Sequence, residues 1–135
     1  FKPLNKIASG GELSRFLLAA KLCFFGEDNK KTQIFDEIDR GVGGATASAI
    51  GKRLLELSKH EQVLVVTHSP QVAAYSDNHL RVEKINSDKS TITKVTTLNE
   101  EKTVREIARM LSGELVTSEA LAAAAKLRST SRGIS

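Results

Sequence analysis

Apolar positions along the chain alternate between a helical and an extended period, and each switch marks a new element. Leu13, Phe16, Leu17, Ala20 and Phe24 recur at spacings of three and four, which predicts a helix over Glu12–Phe25 with one buried face. Thr32-Gln33-Ile34-Phe35 is a short, partly β-branched run that ends abruptly in Asp36-Glu37-Ile38-Asp39. That is the pattern of a buried strand with acids lining its C-terminal end. Gly41-Val42-Gly43-Gly44 then breaks the chain before Ala45–Ser58, where Ile50, Leu54 and Leu57 mark the stripe of another helix. Gln62–Thr67, continuous in Val and Leu, has the length and composition of a strand buried on both faces of a parallel sheet. Strand, helix and strand in this order predict a right-handed crossover.

Beyond Pro70, which suits the first turn of a helix reaching about Tyr75, the pattern changes. His79–Ile85 and Thr91–Thr97 alternate, and Asn86-Ser87-Asp88-Lys89 between them has the turn chemistry of an antiparallel hairpin. Asn99 can cap a helix carrying Val104, Ile107, Ala108 and Leu111 before Gly113, and Ser118 can start an Ala-rich helix to about Arg128. Residues 129–135 lack apolar periodicity and are expected to fray. The fold class is α/β, one domain over residues 1–128 with a short tail.

Composition narrows this little. The 135 residues are 40% hydrophobic and 27% charged, ordinary globular usage that indicates neither a disordered tail nor a coiled coil. The longest apolar runs fall far below the ~18 residues needed to cross a bilayer. The start, Phe1-Lys2-Pro3-Leu4, has neither an initiator Met nor a signal pattern, as expected of a piece of a longer protein. The single Cys23 cannot form an internal disulfide and fits a buried position in a reducing cytoplasm. A net charge of +4 is spread evenly along the chain, so it is weak support for a nucleic-acid face.

Candidate chemistry sits at three places. Ser9-Gly10-Gly11-Glu12 precedes the first helix, where unpaired N–H groups and the positive helix end can hold an anion; a flexible turn capped by Ser9 explains the same residues. Asp36 and Glu37 are delivered beyond an apolar strand, where ligands of open α/β sheets bind. On an extended backbone adjacent acids point in different directions, so one can hold Mg²⁺ while the other reaches an attacking water. Thr67-His68-Ser69-Pro70 follows the neighbouring strand, so His68 should emerge at the same edge, able to donate to a phosphoryl oxygen or a water. His60 and His79 have no comparable neighbours and read as ordinary surface residues.

In this order the segments Lys6-Ile7-Ala8-Ser9-Gly10-Gly11-Glu12-Leu13-Ser14-Arg15, Ile34-Phe35-Asp36-Glu37-Ile38-Asp39 and Thr67-His68-Ser69-Pro70-Gln71-Val72-Ala73-Ala74 resemble the later part of an ATP-binding-cassette ATPase head. Its parts are a signature loop, a Walker B strand, a D-loop and a switch histidine. The wording looks like that of the SMC-like group that repairs DNA double-strand breaks, and the likeness runs from residue 6 through Arg105–Leu111. The resemblance implies Asp36 for Mg²⁺ through water, Glu37 as general base, and His68 at the γ-phosphate. It also implies Ser9, Gly10, Gly11 and Glu12 contacting ATP held by a second head, and Asp39 in the loop between two sites. The implied partners are the N-terminal lobe of the same protein, a second copy of the head, and DNA, in a cytoplasmic, nucleoid-associated protein away from membranes.

No Gly-x-x-x-x-Gly-Lys-Ser/Thr phosphate loop occurs in these residues, so the expectation is the C-terminal lobe of a split head, inactive alone. The alternatives are the equivalent lobe of another such ATPase, including a transporter subunit, and a non-catalytic module binding nucleic acid or a partner. Glu12, where transporters typically carry Gln, and the Gln71-Val72-Ala73-Ala74 run favour the repair branch. Glu37 and His68 together argue against the module.

Overall fold

The computed structural model describes residues 10–23, 31–87 and 90–133. The elements run α1 (Gly10–Cys23), β1 (Thr32–Asp36), α2 (Gly44–Ser58), β2 (Gln62–Val66), α3 (Pro70–Ala73), β3 (His79–Ser87), β4 (Ser90–Leu98), α4 (Glu100–Ser112) and α5 (Ser118–Arg132). β1 and β2 pair in parallel with Ile34 opposite Leu64 and Asp36 opposite Val66, so both strands end at the same edge. β3 and β4 form a separate antiparallel pair whose ladder reaches Ser87 opposite Ser90. Asn86 and Ser87, expected in the turn, belong to this ladder, and the rest of the expected turn, residues 88–89, lies outside the described residues.

Two apolar clusters organise the chain. Leu18, Phe35, Ile38, Ala47, Ile50, Leu54, Leu57 and Val72 join α1, β1, α2 and α3, with Val63 and Val65 packed alongside. Ala73, Ala74, Ile107, Ala108 and Ala124 join the end of α3 to α4 and α5. The four-residue α3 thus belongs to both clusters, Val72 to one and Ala73 to the other. Gly51 on α2 makes room for Tyr75: a Cβ there would fall 2.4 Å from the ring.

β2 departs from the expectation of burial on both faces. Val63 and Val65 are half-buried, whereas Leu64 and Val66 are 43% and 59% exposed and Ile34 on β1 is 69% exposed. The alternation arises because helices cover one face of the parallel pair and nothing among the described residues covers the other. Parallel strands are ordinarily covered on both faces.

Residues 129–133 are more ordered than their composition suggests. The tail expected to fray from residue 129 is helical through Arg132, closed by Gly133 at φ 67°. Tertiary contact supplies the reason. Arg128, only 6% exposed, donates to the carbonyls of Ala74 and Ser76 at 2.9 and 2.6 Å and forms a two-pronged pair with Glu100. Arg132 reaches the Asp77 carboxylate. Asn99 caps α4 by accepting from the Lys102 N–H at 2.9 Å, and Thr117 caps α5.

Candidate active site

Asp36, Glu37, Asp39 and His68 gather at the edge where β1 and β2 end. Asp36 closes β1 and is exposed. Glu37 follows with φ 47°, the left-handed region that residues other than glycine rarely enter. Its N–H donates to the Val66 carbonyl at 3.1 Å and its own carbonyl accepts from the Arg40 N–H at 3.0 Å, so the chain turns sharply as it leaves the sheet. The Glu37 carboxylate stands at the surface in a 3.0 Å ion pair with Arg40.

Asp39 turns the other way. It is 5% exposed, and its Oδ2 accepts a 2.6 Å hydrogen bond from the Thr67 hydroxyl. That hydroxyl in turn accepts from the Ser69 N–H at 2.9 Å. Asp39 Oδ1 is buried without a hydrogen-bond partner among the described residues. The bond ties the turn after β1 to the turn after β2, leaving His68, between Thr67 and Ser69, exposed. The sequence therefore places Asp36, Glu37 and His68 at one edge as expected, while the Asp39 side chain braces that edge from within.

α1 approaches the same turn by its N-terminal end. Gly10, Gly11 and Glu12 form its first turn rather than a loop before it; Ser9 lies outside the described residues, as does the side chain of Cys23. Gly11 is buried, and a Cβ there would fall 3.3 Å from the Glu37 carbonyl and 3.1 Å from the Arg15 guanidinium. Arg15 Nη1 donates to the carbonyls of Ile38 and Arg40 at 3.0 and 3.3 Å. Periodicity singles out the apolar stripe of α1 and not this arginine, because its partners are backbone atoms 23 and 25 residues further on.

The donor set for a cation is small. Among the described residues no group of three His, Cys, Asp or Glu side chains could hold a metal, so Asp36 offers a single exposed carboxylate. That fits Mg²⁺, which keeps several waters and is commonly held by one or two carboxylates together with substrate phosphates.

A second charged cluster lies away from the edge, between the hairpin and α4. Burial opposes ionisation of Glu106, but hydrogen bonds and charge from Arg109, with further charge from Arg81, outweigh it and hold its carboxyl below the usual range. The bonds to Arg109 are 2.7 to 3.2 Å and the contact to Arg81 is 3.3 Å. His79, half-buried beside this group with no partner for Nδ1 among the described residues, is pushed below its ordinary value chiefly by burial.

No protein-family model matches the chain. Curated relatives match more than nine-tenths of it. A protein from Rickettsia bellii is 49% identical over 124 residues, 92% of this chain and 22% of that protein. One from Streptomyces coelicolor is 49% identical over 131 residues, 97% of this chain and 23% of its own length, and one from Xylella fastidiosa is 49% identical over 126 residues. All three are DNA repair proteins named RecN. The chain is similar to RecN proteins over nearly its whole length and spans about a fifth of theirs. A solved structure from work on ATP-driven dimerization and DNA-stimulated activation of SMC ATPases superposes with a TM-score of 0.58 at 23% identity. That match covers 82% of this chain and 66% of the other, and at that identity it speaks for a shared fold.

Proposed function

We propose that the chain is the C-terminal lobe of a split ATPase head in an SMC-like protein of DNA double-strand break repair. The observation that carries this reading is the convergence of Asp36-Glu37 and Thr67-His68 beyond two adjacent parallel strands, in a chain similar to RecN. Phosphoryl transfer to water asks for positioning and charge stabilisation more than covalent chemistry. In this reading Glu37 accepts the proton of the attacking water, and His68 donates a hydrogen bond to the γ-phosphate. Asp36 would hold Mg²⁺ through water, and the ion would supply charge neutralisation for the phosphates. The exposed Glu37–Arg40 pair is of the kind that contributes little, so an approaching partner can displace it.

The remaining parts of the site come from elsewhere. The uncovered face carrying Ile34, Leu64 and Val66 is the surface on which the N-terminal lobe of the same protein, with the phosphate loop, would pack. Ser9 and the first turn of α1, Gly10, Gly11 and Glu12, act in trans on ATP held by a second head. Asp39 shapes the loop between the two sites while exposed Arg40 and Gly41 face the partner. Hydrolysis is thereby coupled to homodimerisation and, through the whole protein, to DNA. No described helix is long and apolar enough to cross a membrane, and the reading places the protein in the cytoplasm at the nucleoid.

The test is Glu37→Gln in the full-length protein. It should retain ATP binding and lose hydrolysis by ~10²–10⁴-fold, the usual contribution of a positioned base. Near-normal turnover would remove Glu37 from this role.

A further inference from the structure

Among the described residues Glu37 is the one side-chain-bearing residue with positive φ. A strained conformation persists only where its surroundings over-determine it. Two backbone bonds, to Val66 and from Arg40, begin that work. The next two restraints come from a side chain on another element: Arg15 Nη1 donates to the carbonyls of Ile38 and Arg40, on either side of Asp39. Gly11, one helical turn earlier on α1, lets the helix come close enough, since a Cβ there would crowd both Arg15 and the Glu37 carbonyl.

We infer that Arg15 is a positioning residue for Glu37: by holding the carbonyls of Ile38 and Arg40 together it fixes the turn that keeps Glu37 left-handed and sets where its carboxylate stands beyond β1. The guanidinium is suited to this, being permanently charged and planar, with several donors in fixed geometry. A lysine would bring a point charge on a flexible stem and hold the two carbonyls less firmly. The inference rests on the reading of Glu37 as the base.

The experiment is a double-substitution cycle on ATP hydrolysis by the full-length protein, with Arg15→Met, Glu37→Gln and the pair. Arg15→Met should lower kcat by ~10–10²-fold, as small misplacements of a reacting group do, with KM changed less than ~2-fold. Arg15→Lys should recover part of the loss. In the Glu37→Gln background Arg15→Met should lower the residual rate by less than ~2-fold, because the group it positions is no longer a base. Full additivity, or an effect on KM alone, would overturn the inference. Arg15→Gln carries the same cycle if Arg15→Met does not fold.

Should Glu37→Gln hydrolyse ATP normally, the base reading fails while the backbone claim is still read by thermal unfolding. Glu37→Gly should raise the midpoint in the parent, where glycine relieves the strain, and raise it less beside Arg15→Met, where the turn is free to relax. Equal rises in both backgrounds would overturn the claim.

Discussion

The carboxylate of Asp39 accepts a 2.6 Å hydrogen bond from the hydroxyl of Thr67, 28 residues away, and so fastens the loop that follows Glu37 to the residue that precedes His68. This part-buried bond joins the two turns in addition to the backbone bond from Glu37 to Val66. Asp39→Ala strands the Thr67 hydroxyl in a half-buried site and should destabilise the fold by about 1–3 kcal/mol. Asp39→Asn, which keeps an acceptor, should cost less. Chemical denaturation of both variants measures this, and equal stability of Asp39→Ala and the parent would contradict it.

Arg128 makes a comparable link between α5 and the end of α3. Its replacement by Met leaves the Ala74 carbonyl without its buried donor, and a loss of about 1–3 kcal/mol is expected. Glu100→Gln should be milder, because Glu100 is largely exposed and water can replace its bonds. Urea unfolding midpoints should rank the parent first, Glu100→Gln next and Arg128→Met last.

The Gly51–Tyr75 contact predicts a steric rather than an electrostatic effect. Gly51→Ala places a Cβ 2.4 Å from the ring, and overpacking of this kind costs about 1–3 kcal/mol. Tyr75→Leu should recover stability in the Gly51→Ala background while destabilising the parent. A cycle of thermal melts showing simple additivity would contradict the assigned contact.

His79 gives the fold an acid-sensitive element. Burial, the leading cause, and the positive charge of Arg128 push its value below 6.5, while Glu106 pulls the other way. The unfolded chain then binds the proton more readily, so the stability His79 contributes is complete above pH 6.5. It is lost as pH falls from there through the depressed native value. His79→Gln should flatten the stability profile in that window. Glu106, with its own depressed value, adds a separate loss only below its ordinary 4.5. An unchanged slope just below pH 6.5 in His79→Gln would count against this assignment.

Much of the site is legible in the sequence because it depends on contiguous runs. Thr32–Phe35 and Gln62–Val66 declare themselves as strands, and whatever follows a pair of parallel strands must emerge at one edge; that places Asp36, Glu37 and His68 without any structure. The inward course of Asp39 is not legible, since it depends on Thr67 across a long separation, and adjacent acids look alike in sequence. Neither is the left-handed Glu37, which arises from bonds to Val66 and Arg40. Leu64 and Val66 read as core because a continuous Val/Leu run carries no sign of which face is covered. The helix through Arg132 escapes periodicity because it is held by Ser76 and Asp77, more than fifty residues earlier.

The central claim is that this chain supplies half of each of two composite ATP sites, and mixing subunits tests it most directly. Full-length subunits carrying Ser9→Arg would place a bulky side chain in the turn assigned to the second head's ATP; partner subunits would carry a disabled phosphate loop. Each variant alone should be inactive. In a mixed dimer one composite site carries both lesions and the other neither, so ATP hydrolysis should reappear in the mixture. A mixture as inactive as its components, or turnover by a strictly monomeric protein, would contradict the account.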